Sequence, residues 1–363
     1  MSATKYEWLP VLPEDVTVSW LGSVLGHNVK TADMTRAIWG TESKLFFTLT
    51  YDDAGGDDKT ATEEKPTHIC IKGVFDPKMV AAQPWTALLA QREADFYSQM
   101  APQVRSMGYP KAWWAGKADN QGIVIMNDLT AEGCTFLGPI ETWPVDKVLE
   151  GVEQLAGLHG QYWGAKVEDH PYAVNIYDSS MQFLCAPWDD MTNRPDRPAC
   201  VPSYLKDGAR FNAAHDKYFA TRNPKFRTII HGDTHVGNTY LTAEGRPHWL
   251  DWSAVHVGSC FHDVAYFMCG ALSIEDRRAN EGRILRHYLD ALCAAGGPRL
   301  DAADEDVQVE FKRSYIANCI WLICPFEMQP KEIVSALCER TVAAWEDHKI
   351  LELIESQPDP VGV

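Results

Sequence analysis

The stretch that decides the fold is His231-Gly232-Asp233-Thr234-His235-Val236-Gly237-Asn238, and Asp251 follows it thirteen residues later in Leu250-Asp251-Trp252. Both lie in a short β-type segment, residues 228–252, which we interpret as a hairpin within an otherwise helical half of the chain. Mg²⁺ takes oxygen ligands and shares them with substrate phosphates, so the Asn238 amide and the Asp251 carboxylate are candidate ligands. Asp233 is then free to orient a hydroxyl group and accept its proton.

The spacing H-x-D-x-x-x-x-N and the later aspartate resemble the catalytic loop and the metal-binding aspartate of the protein-kinase-like fold. The form His-Gly-Asp-x-His-x-Gly-Asn is similar to the aminoglycoside phosphotransferase and choline kinase superfamily. Leu-Asp-Trp, followed by Gly258 and Asp263-Val264-Ala265-Tyr266, resembles its ecdysteroid kinase-like (CHK kinase-like) branch. The resemblance covers most of the chain. It implies a bilobal α+β fold, with a small antiparallel-sheet N-lobe and a larger helical C-lobe.

Hydrophobic patterning upstream of the motif predicts a small sheet with one helix, preceded by an amphipathic helix over residues 14–26. The polar segment Asp52–Pro66 predicts a surface loop. A helix is expected over Trp85–Met100. The expected strands are Val29–Ile38, Leu45–Tyr51, Thr67–Lys72, Lys111–Gly116 and Ile123–Met126.

Beyond residue 130 the apolar residues repeat with helical spacing. A long helix begins near Pro144 and ends around His159. Further helices are expected over residues 201–220, 274–295, 305–325 and 331–354. We therefore divide the chain into an N-lobe that binds nucleotide, residues 1–129, and a helical C-lobe, residues 130–363, that carries the catalytic loop and the acceptor site.

The resemblance implies a role for each residue of the catalytic set. Lys72, which closes the third strand, matches the lysine that holds the α- and β-phosphates of ATP. Glu93 matches the helix carboxylate that pairs with this lysine, and such a partner is needed because an isolated carboxylate on an apolar helix face is costly. Asp233 matches the catalytic base. Asn238 and Asp251 match the Mg²⁺ ligands.

The resemblance also implies where the nucleotide contacts lie, with ATP and Mg²⁺ as the expected cofactors. The segment Gly40–Lys44 matches the nucleotide-covering loop, although only Gly40 remains of the pattern G-x-G-x-x-G. Its expected contacts are Gly40, Thr41 and Ser43. The connector between the lobes, whose backbone grips adenine, is expected at Asn127, Asp128 and Leu129.

Other polar residues near the motif are interpreted as supports. His231, His235 and Asp263 are expected to brace the catalytic loop by hydrogen bonds. His159 and Trp163 are expected to support the same loop from behind.

The acceptor site is expected in the helical half, which is rich in tryptophan. Aromatic faces beside carboxylates can hold a protonated or quaternary amine by cation–π attraction, and they suit a bulky alcohol as well. Most large aromatic side chains nevertheless pack in cores. The wall of the pocket is predicted at Trp321, Phe326 and Glu327. The other candidates considered are Trp143, Trp163, Trp188, Trp249, Trp252, Trp345, Asp189 and Asp190.

Charge composition and cysteine spacing argue against two classes of protein, nucleic-acid binders and zinc ribbons. The 363 residues include 33 Lys and Arg against 50 Asp and Glu, a net charge of −17, which argues against nucleic-acid binding. An acidic surface gives solubility, and attraction of a cationic substrate is the alternative. The ten cysteines form no C-x-x-C pair, which argues against a zinc ribbon, and they are interpreted as small buried hydrophobes.

The N-terminal residues and the length of the apolar runs predict the cellular location and the partners of the protein. Residues 1–7 show no apolar signal segment. The longest apolar run is about a dozen residues, short of the roughly 20 that span a bilayer. We therefore expect a cytoplasmic protein that does not insert into membranes and acts on a small hydroxylated substrate. Its oligomeric state is left open.

The sequence thus predicts an ATP- and Mg-dependent kinase that phosphorylates a hydroxyl of a bulky or amine-bearing alcohol. A nucleotide-binding regulatory module without transfer activity is the first alternative, because the glycine loop is atypical. A metal-dependent phosphoesterase is the second, because Gly-Asp-x-His and Gly-Asn occur in its motifs. That class needs a Gly-Asn-His step, whereas here Thr239 follows Asn238.

Overall fold

A computed structural model describes residues 6–52 and 64–359. Most of the predicted loop Asp52–Pro66 lies outside these ranges, as do the first five residues of the N-terminal segment.

The N-terminal region is built on a five-stranded antiparallel sheet in the order β1-β2-β3-β5-β4. All five predicted strands are confirmed, and their ends differ from the predicted ones by at most two residues. The strands are β1 (Val29–Ile38), β2 (Ser43–Tyr51), β3 (His68–Gly73), β4 (Ala112–Ala118) and β5 (Gln121–Asn127).

Side chains on both faces of this sheet pack against other parts of the protein. Successive side chains of a strand point to opposite faces, so one strand contributes to both. On one face Leu45, Ile71 and Ile125 pack with Leu21 of the helix α1 (Val18–Leu25). On the other face Phe46 and its neighbours join the main hydrophobic core. The predicted helix 14–26 begins later than expected, because Thr17 caps it: its hydroxyl accepts a hydrogen bond from the Trp20 N–H (3.1 Å).

Two helices connect β3 to β4. They are α2 (Pro77–Ala82), which the sequence analysis missed, and α3 (Trp85–Asp95), which continues as a π-helical turn over Phe96–Met100. The predicted helix Trp85–Met100 is thus helical throughout. The π-turn places the Phe96 ring on the Trp252 ring, stacked with centroids 4.0 Å apart.

The C-terminal region is mostly helical, as predicted. Its helices are α4 (Val145–Gln161), α5 (Tyr177–Cys185), α6 (Trp188–Thr192), α7 (Gly208–Thr221), α8 (Cys260–Ala271), α9 (Ile274–Ala294), α10 (Glu305–Arg313), α11 (Ile320–Ile323), α12 (Lys331–His348) and α13 (Ile350–Glu355).

Three of the predicted helices differ in extent. The helix expected from residue 201 begins only at Gly208, because Asp207 caps it by accepting from the Arg210 N–H (3.0 Å). The helix expected over residues 305–325 is divided by a 3₁₀ segment, Ser314–Cys319. The helix expected over residues 331–354 is broken at Lys349, whose φ is 50°.

Helices α5, α6 and α8 were not predicted. All twelve residues of α8 are buried, so its sequence has no polar face and therefore no amphipathic period to recognise.

The predicted hairpin over residues 228–252 needs correction. Strand β6 (Arg227–Ile230) pairs with β9 (His256–Ser259), which lies beyond the predicted segment. Only β7 (Thr239–Leu241) and β8 (Pro247–Trp249) form a hairpin. The motif 231–238, the predicted catalytic loop, thus begins at the end of one small sheet and ends at the start of another.

One hydrophobic cluster extends through the described parts of both regions. It contains Phe46 and Val124 of the sheet together with Leu158 and Phe267 of the helices. The division of the chain at residues 129 and 130 stays a prediction. Among the described residues, no helix has the length and apolarity that crossing a bilayer requires.

Candidate active site

Lys72 lies at the centre of the site and is buried. Its Nζ atom is 2.7 Å from Glu93 Oε2, so the pair implied by the resemblance is present as an ion pair. Asp251 Oδ2 is 3.2 Å from the same Nζ. Although burial opposes it, the facing carboxylates raise the pKa of Lys72 well above its ordinary value, and the side chain is an ammonium ion at neutral pH.

A third carboxylate, that of Glu42, also contacts Lys72, and the sequence analysis missed it. Glu42 Oε2 is 2.7 Å from Lys72 Nζ, and the side chain is buried. Burial raises the pKa of Glu42 to about 8, despite the opposing effect of Lys72. Glu42 lies inside the predicted nucleotide-covering loop, Gly40–Lys44. A single acidic residue in a turn carries no sequence signal that distinguishes it from a solvated charge.

Glu93 connects the helix α3 to the segment after Asp251. Its Oε1 atom accepts a hydrogen bond from the Trp252 N–H (3.3 Å), while Oε2 faces Lys72. The neighbouring Arg92 donates to the Ser253 carbonyl (2.9 Å) and to the Val255 carbonyl. Contacts among β3, which carries Lys72, the helix α3 and the segment 251–255 therefore fix the position of Lys72.

Asp251 adopts a left-handed backbone conformation, with φ 57° and ψ 73°. Such a conformation is uncommon for a residue other than glycine, and it persists where surrounding contacts hold it. Its Oδ1 atom accepts from the Ser253 hydroxyl (2.7 Å). Although burial acts in the opposite direction, Lys72 and Ser253 lower the pKa of Asp251, which keeps it an anion.

Asp233 and Asn238 face each other across the catalytic loop. The Asn238 amide Nδ2 donates to both the carboxylate Oδ2 and the main-chain carbonyl of Asp233, each at 2.9 Å. The Asp233 side chain is 38% exposed, so its carboxylate is accessible from solution. The Leu250 N–H donates to the Asn238 carbonyl (2.8 Å), which places Asn238 beside Asp251.

Asp263 of α8 braces this loop from below. Its carboxylate accepts from the main-chain N–H groups of His231 (2.7 Å) and Gly232 (2.9 Å) and contacts His159 Nε2 (3.2 Å). Despite complete burial, the hydrogen bond to His159 and the neighbouring histidines lower the pKa of Asp263 to about 2. Asp263 and His159 thus lie where support of the loop was predicted.

Gly232 is required by the geometry of the loop. Its φ is 87°, and a Cβ atom there would lie 2.4 Å from the Ala254 carbonyl oxygen. Any side chain at this position would displace the loop.

The two histidines of the motif contact different parts of the site. His231 Nδ1 accepts from the Asp233 N–H (3.3 Å), and Nε2 therefore donates to the Leu250 carbonyl (2.8 Å), which links the loop to the residue before Asp251. His235 Nδ1 accepts from the Gly237 N–H (3.0 Å). In the neutral ring the proton is consequently on Nε2, which lies 3.7 Å from Asp233 Oδ2.

A cavity of about 310 Å³ joins these groups to the connector between the sheet and the helices. Lys72, Glu93, Asn238 and Asp251 line one part of it. The predicted connector residues Asn127, Asp128 and Leu129 line another part.

The donor set suits Mg²⁺. Asn238 Nδ2 is committed to Asp233, and within the described residues no hydrogen-bond donor contacts Asn238 Oδ1. This oxygen and the Asp251 carboxylate are hard ligands on the wall of one cavity.

Comparison with known proteins assigns the family. The sequence matches the ecdysteroid kinase-like family over residues 49–295, well over half of the chain. The chain belongs to the ecdysteroid kinase-like family. It is thus a member of a kinase-like family. No curated protein sequence matches the chain.

Solved structures show the fold of this ecdysteroid kinase-like protein. Aminoglycoside phosphotransferase APH(2")-IIia, solved with GDP and kanamycin, is 14% identical, with 91% of this chain and 97% of that chain covered and a TM-score of 0.52. A mutant aminoglycoside 2'-phosphotransferase-IIIa, solved with GDP, is 12% identical, with 89% and 92% covered and a TM-score of 0.50. Choline kinase LicA from Streptococcus pneumoniae is 12% identical, with 92% and 99% covered and a TM-score of 0.47. The first two of these structures, together with the five-stranded sheet and the helical region, confirm the predicted α+β kinase-like fold.

Some predicted contacts of the ecdysteroid kinase-like protein lie away from the cavity. Gly40, Thr41 and Ser43 are not among its lining residues, whereas Arg36, Ile38 and Lys44 of the flanking strands are. Glu42 instead points from this turn to Lys72. Contacts between the turn and a nucleotide stay a prediction.

The predicted acceptor wall is brought only partly to the catalytic loop. The Trp321 ring is edge-on to the His235 ring, with centroids 5.5 Å apart. Phe326 instead packs under the Arg197 guanidinium at 4.3 Å, and Glu327 is exposed.

The other tryptophans are mostly core residues. Those with at most 1% exposure are Trp143, Trp188, Trp249, Trp252 and Trp345. Trp163 packs against the same core. Asp189 accepts a hydrogen bond from the Gly208 N–H at the start of α7 (2.6 Å). A cage of several tryptophans around a cationic substrate is therefore not formed by these residues.

Proposed function

We propose that this protein transfers the terminal phosphoryl group of Mg-ATP to a hydroxyl group of a small metabolite. The observation that carries the proposal is the arrangement around Asn238. Its side chain holds the partly exposed Asp233 carboxylate at 2.9 Å and also lines the cavity that contains Lys72 and Asp251. A proton acceptor is thus adjacent to groups that bind phosphate and metal.

Each residue of the proposed catalytic set has a defined task in this reaction. Lys72 binds the α- and β-phosphates, and Glu93 keeps its ammonium group in place. Asn238 and Asp251 would hold Mg²⁺, which when bound neutralises charge on the transferred group and the leaving ADP. Asp233 orients the acceptor hydroxyl for in-line attack and takes its proton. A bond forms between the hydroxyl oxygen and the γ-phosphorus as the bond to the bridging oxygen of ADP breaks.

The acceptor is proposed to be a bulky or amine-bearing alcohol that enters from the side of Trp321. This ring contacts His235, whose Nε2 faces Asp233, so an acceptor on this side reaches the carboxylate. Trp321 Nε1 has no hydrogen-bond partner among the described residues, although it is buried, and a polar group of the acceptor would satisfy it.

A regulatory module that binds nucleotide without transferring phosphate is a second candidate. The contact between Glu42 and Lys72 favours it, because a lysine held by three carboxyl groups is not free for phosphates.

Transfer is tested by incubating the protein with Mg-ATP and a metabolite extract, with Mg-GTP in parallel. Products heavier by one phosphoryl group are sought by mass spectrometry. Asp233→Asn removes the proton acceptor and should lower turnover by about 10²–10⁴-fold, the usual contribution of a general base. Its nucleotide affinity, measured by calorimetry, should stay unchanged, whereas Asp251→Asn should weaken Mg-nucleotide binding as well.

Asp290→Asn, an exposed change on α9, is the matched control and should leave both quantities unchanged. Full phosphoryl transfer by Asp233→Asn would show that the base is assigned wrongly. Nucleotide binding without a phosphorylated product would favour the regulatory module, and hydrolysis of phosphoesters without ATP would favour the phosphoesterase.

A further inference from the structure

Two thiols outside the catalytic centre lie in contact. Cys200 Sγ is 3.5 Å from Cys338 Sγ, although the residues are 138 positions apart in the sequence. Cys338 belongs to α12 and is fully buried, whereas Cys200 is partly exposed. An oxidant in solution therefore reaches one sulfur, and the other is positioned to complete a disulfide.

The contact distance is compatible with a bond. A disulfide needs a sulfur–sulfur separation of about 2.05 Å, so the two atoms must approach by about 1.5 Å for the bond to form. The hydrogen bond with Cys338 also lowers the pKa of the Cys200 thiol, and this increases the fraction present as the reactive thiolate.

Cys200 lies in a segment, residues 193–207, that contacts one residue of the predicted acceptor wall, Phe326, through Arg197. In this segment the buried Arg197 donates from Nη1 to the Cys324 carbonyl (2.7 Å). Its guanidinium lies over the Phe326 ring at 4.3 Å. Cys338 lies on the helix that follows this wall, so a bond between the two cysteines would fix the segment in place.

We propose that Cys200 and Cys338 form a reversible disulfide that fastens the segment 193–207 to α12. With glutathione disulfide as oxidant, the Cys200 thiolate attacks one sulfur and a glutathione thiolate leaves. The Cys338 thiol then loses its proton as its sulfur attacks the Cys200 sulfur of the mixed disulfide, and the second glutathione leaves as a thiolate that takes up a proton. Two protein thiols are oxidised, and one glutathione disulfide is reduced to two glutathione molecules.

The consequence for turnover rests on the proposed kinase function. Phe326 packs in the same hydrophobic cluster as Trp321, so fixing the segment against it restricts the side from which the acceptor is proposed to enter. The nucleotide cavity is lined by other residues. Oxidation should therefore lower kcat/KM for the acceptor and leave the dissociation constant of Mg-ADP unchanged.

A second thiol pair provides a matched comparison. Cys185 Sγ and Cys319 Sγ are 4.0 Å apart, but both residues are 0% exposed. Since neither sulfur is accessible, this pair should stay reduced under conditions that oxidise Cys200 and Cys338.

The experiment equilibrates the full chain in glutathione buffers of increasing oxidised fraction, traps free thiols with iodoacetamide, and maps peptides by mass spectrometry. We expect a linked peptide pair containing Cys200 and Cys338 that disappears on reduction. Amide hydrogen exchange in residues 193–207 should slow by about tenfold in the oxidised form, as a local opening is suppressed. Cys200→Ser should abolish the link, and Cys185→Ser should leave it.

Cys200 carrying only glutathione, alkylated Cys338 at every ratio, or a link to another cysteine would overturn the proposal. Because the link is mapped without any assay of activity, an inactive kinase with a correct link would refute the proposed function alone. An active kinase without the link would refute the disulfide alone.

Discussion

One buried ammonium group, that of Lys72, faces three carboxylates. Glu42 and Glu93 are each 2.7 Å from it, and Asp251 is 3.2 Å away. Burial, together with the neighbouring Glu93 and Asp251, raises the pKa of Glu42 to about 8, so most of this carboxyl group is protonated at pH 7. Glu93 is held by a second hydrogen bond, from the Trp252 N–H, whereas Glu42 is held by Lys72 alone among the described residues. Glu42 is thus the carboxyl group most easily exchanged for a phosphate.

We predict that Glu42→Gln strengthens nucleotide binding. The dissociation constant of Mg-ADP should fall by about three- to tenfold, because a contact worth roughly 0.5–1.5 kcal/mol need no longer be broken. The effect should be larger at pH 9, where the native Glu42 is ionised, than at pH 7, where most of it is protonated. Isothermal titration calorimetry at both pH values measures it.

Glu93→Gln is the comparison for this prediction. It removes the carboxylate that positions Lys72 and should weaken Mg-ADP binding. If Glu42→Gln weakened binding to a similar extent, Glu42 would be a support of Lys72 and not a competitor of the phosphates.

Among the secondary-structure elements, helix α7 carries a buried histidine whose protonation depends on pH. His215 on this helix is 2% exposed, and its ring lies 5.3 Å from Phe211 and 4.4 Å from Phe219. Burial lowers the pKa of His215 from 6.5 to about 4. The folded protein therefore keeps this imidazole neutral at pH values where the unfolded chain protonates it.

The resulting prediction concerns acid stability. Between pH 6.5 and 4 the unfolded state binds the extra proton, so the free energy of unfolding falls as the pH is lowered. His215 should contribute about 2 kcal/mol of loss between pH 7 and pH 5. Urea denaturation of the native protein and of His215→Leu at the two pH values measures the difference.

The exposed His68→Gln is the control and should retain the native pH dependence. An equally steep loss in His215→Leu would assign the acid sensitivity to other groups.

For the molecule as a whole, α3 joins the sheet to the helical region. Arg92 on this helix donates to the carbonyls of Ser253 and Val255, and the Phe96 ring stacks on Trp252. The position of Lys72 therefore depends on docking between the two regions, because its partner Glu93 is carried by this helix.

We predict that Arg92→Ala weakens this docking. It leaves two carbonyls without their donor, and the free energy of unfolding should fall by about 3 kcal/mol. Turnover should fall as well, because Glu93 moves with α3. Arg92→Lys should restore part of both quantities, and urea denaturation with a kinase assay checks them. Native stability in Arg92→Ala would show that ring stacking alone docks the helix.

The sheet and the order of the candidate site residues were predictable, and several elements were not. The strands alternate locally, and the spacing from Asp233 to Asn238 is itself local, so both are visible in the sequence. Strand β9 was missed because its partner β6 lies 29 residues earlier, and a short strand is recognised by its pairing. Helix α8 was missed because it is buried on all sides. The sequence could not predict which tryptophans line a pocket, since the burial of each ring depends on the residues that pack around it.

The sequence by itself determined the fold class, through strand patterning and the resemblance of its motif to a known family, because both are properties of neighbouring residues. The same resemblance implied Lys72, Glu93, Asp233, Asn238 and Asp251 as one set, and their roles stay a prediction. Only the tertiary structure decided that Glu42 contacts Lys72 and that Cys200 meets Cys338. Both contacts join residues distant in sequence, and they form only when the strands and helices have packed. A turn glutamate and a scattered cysteine have no local pattern that states their partners.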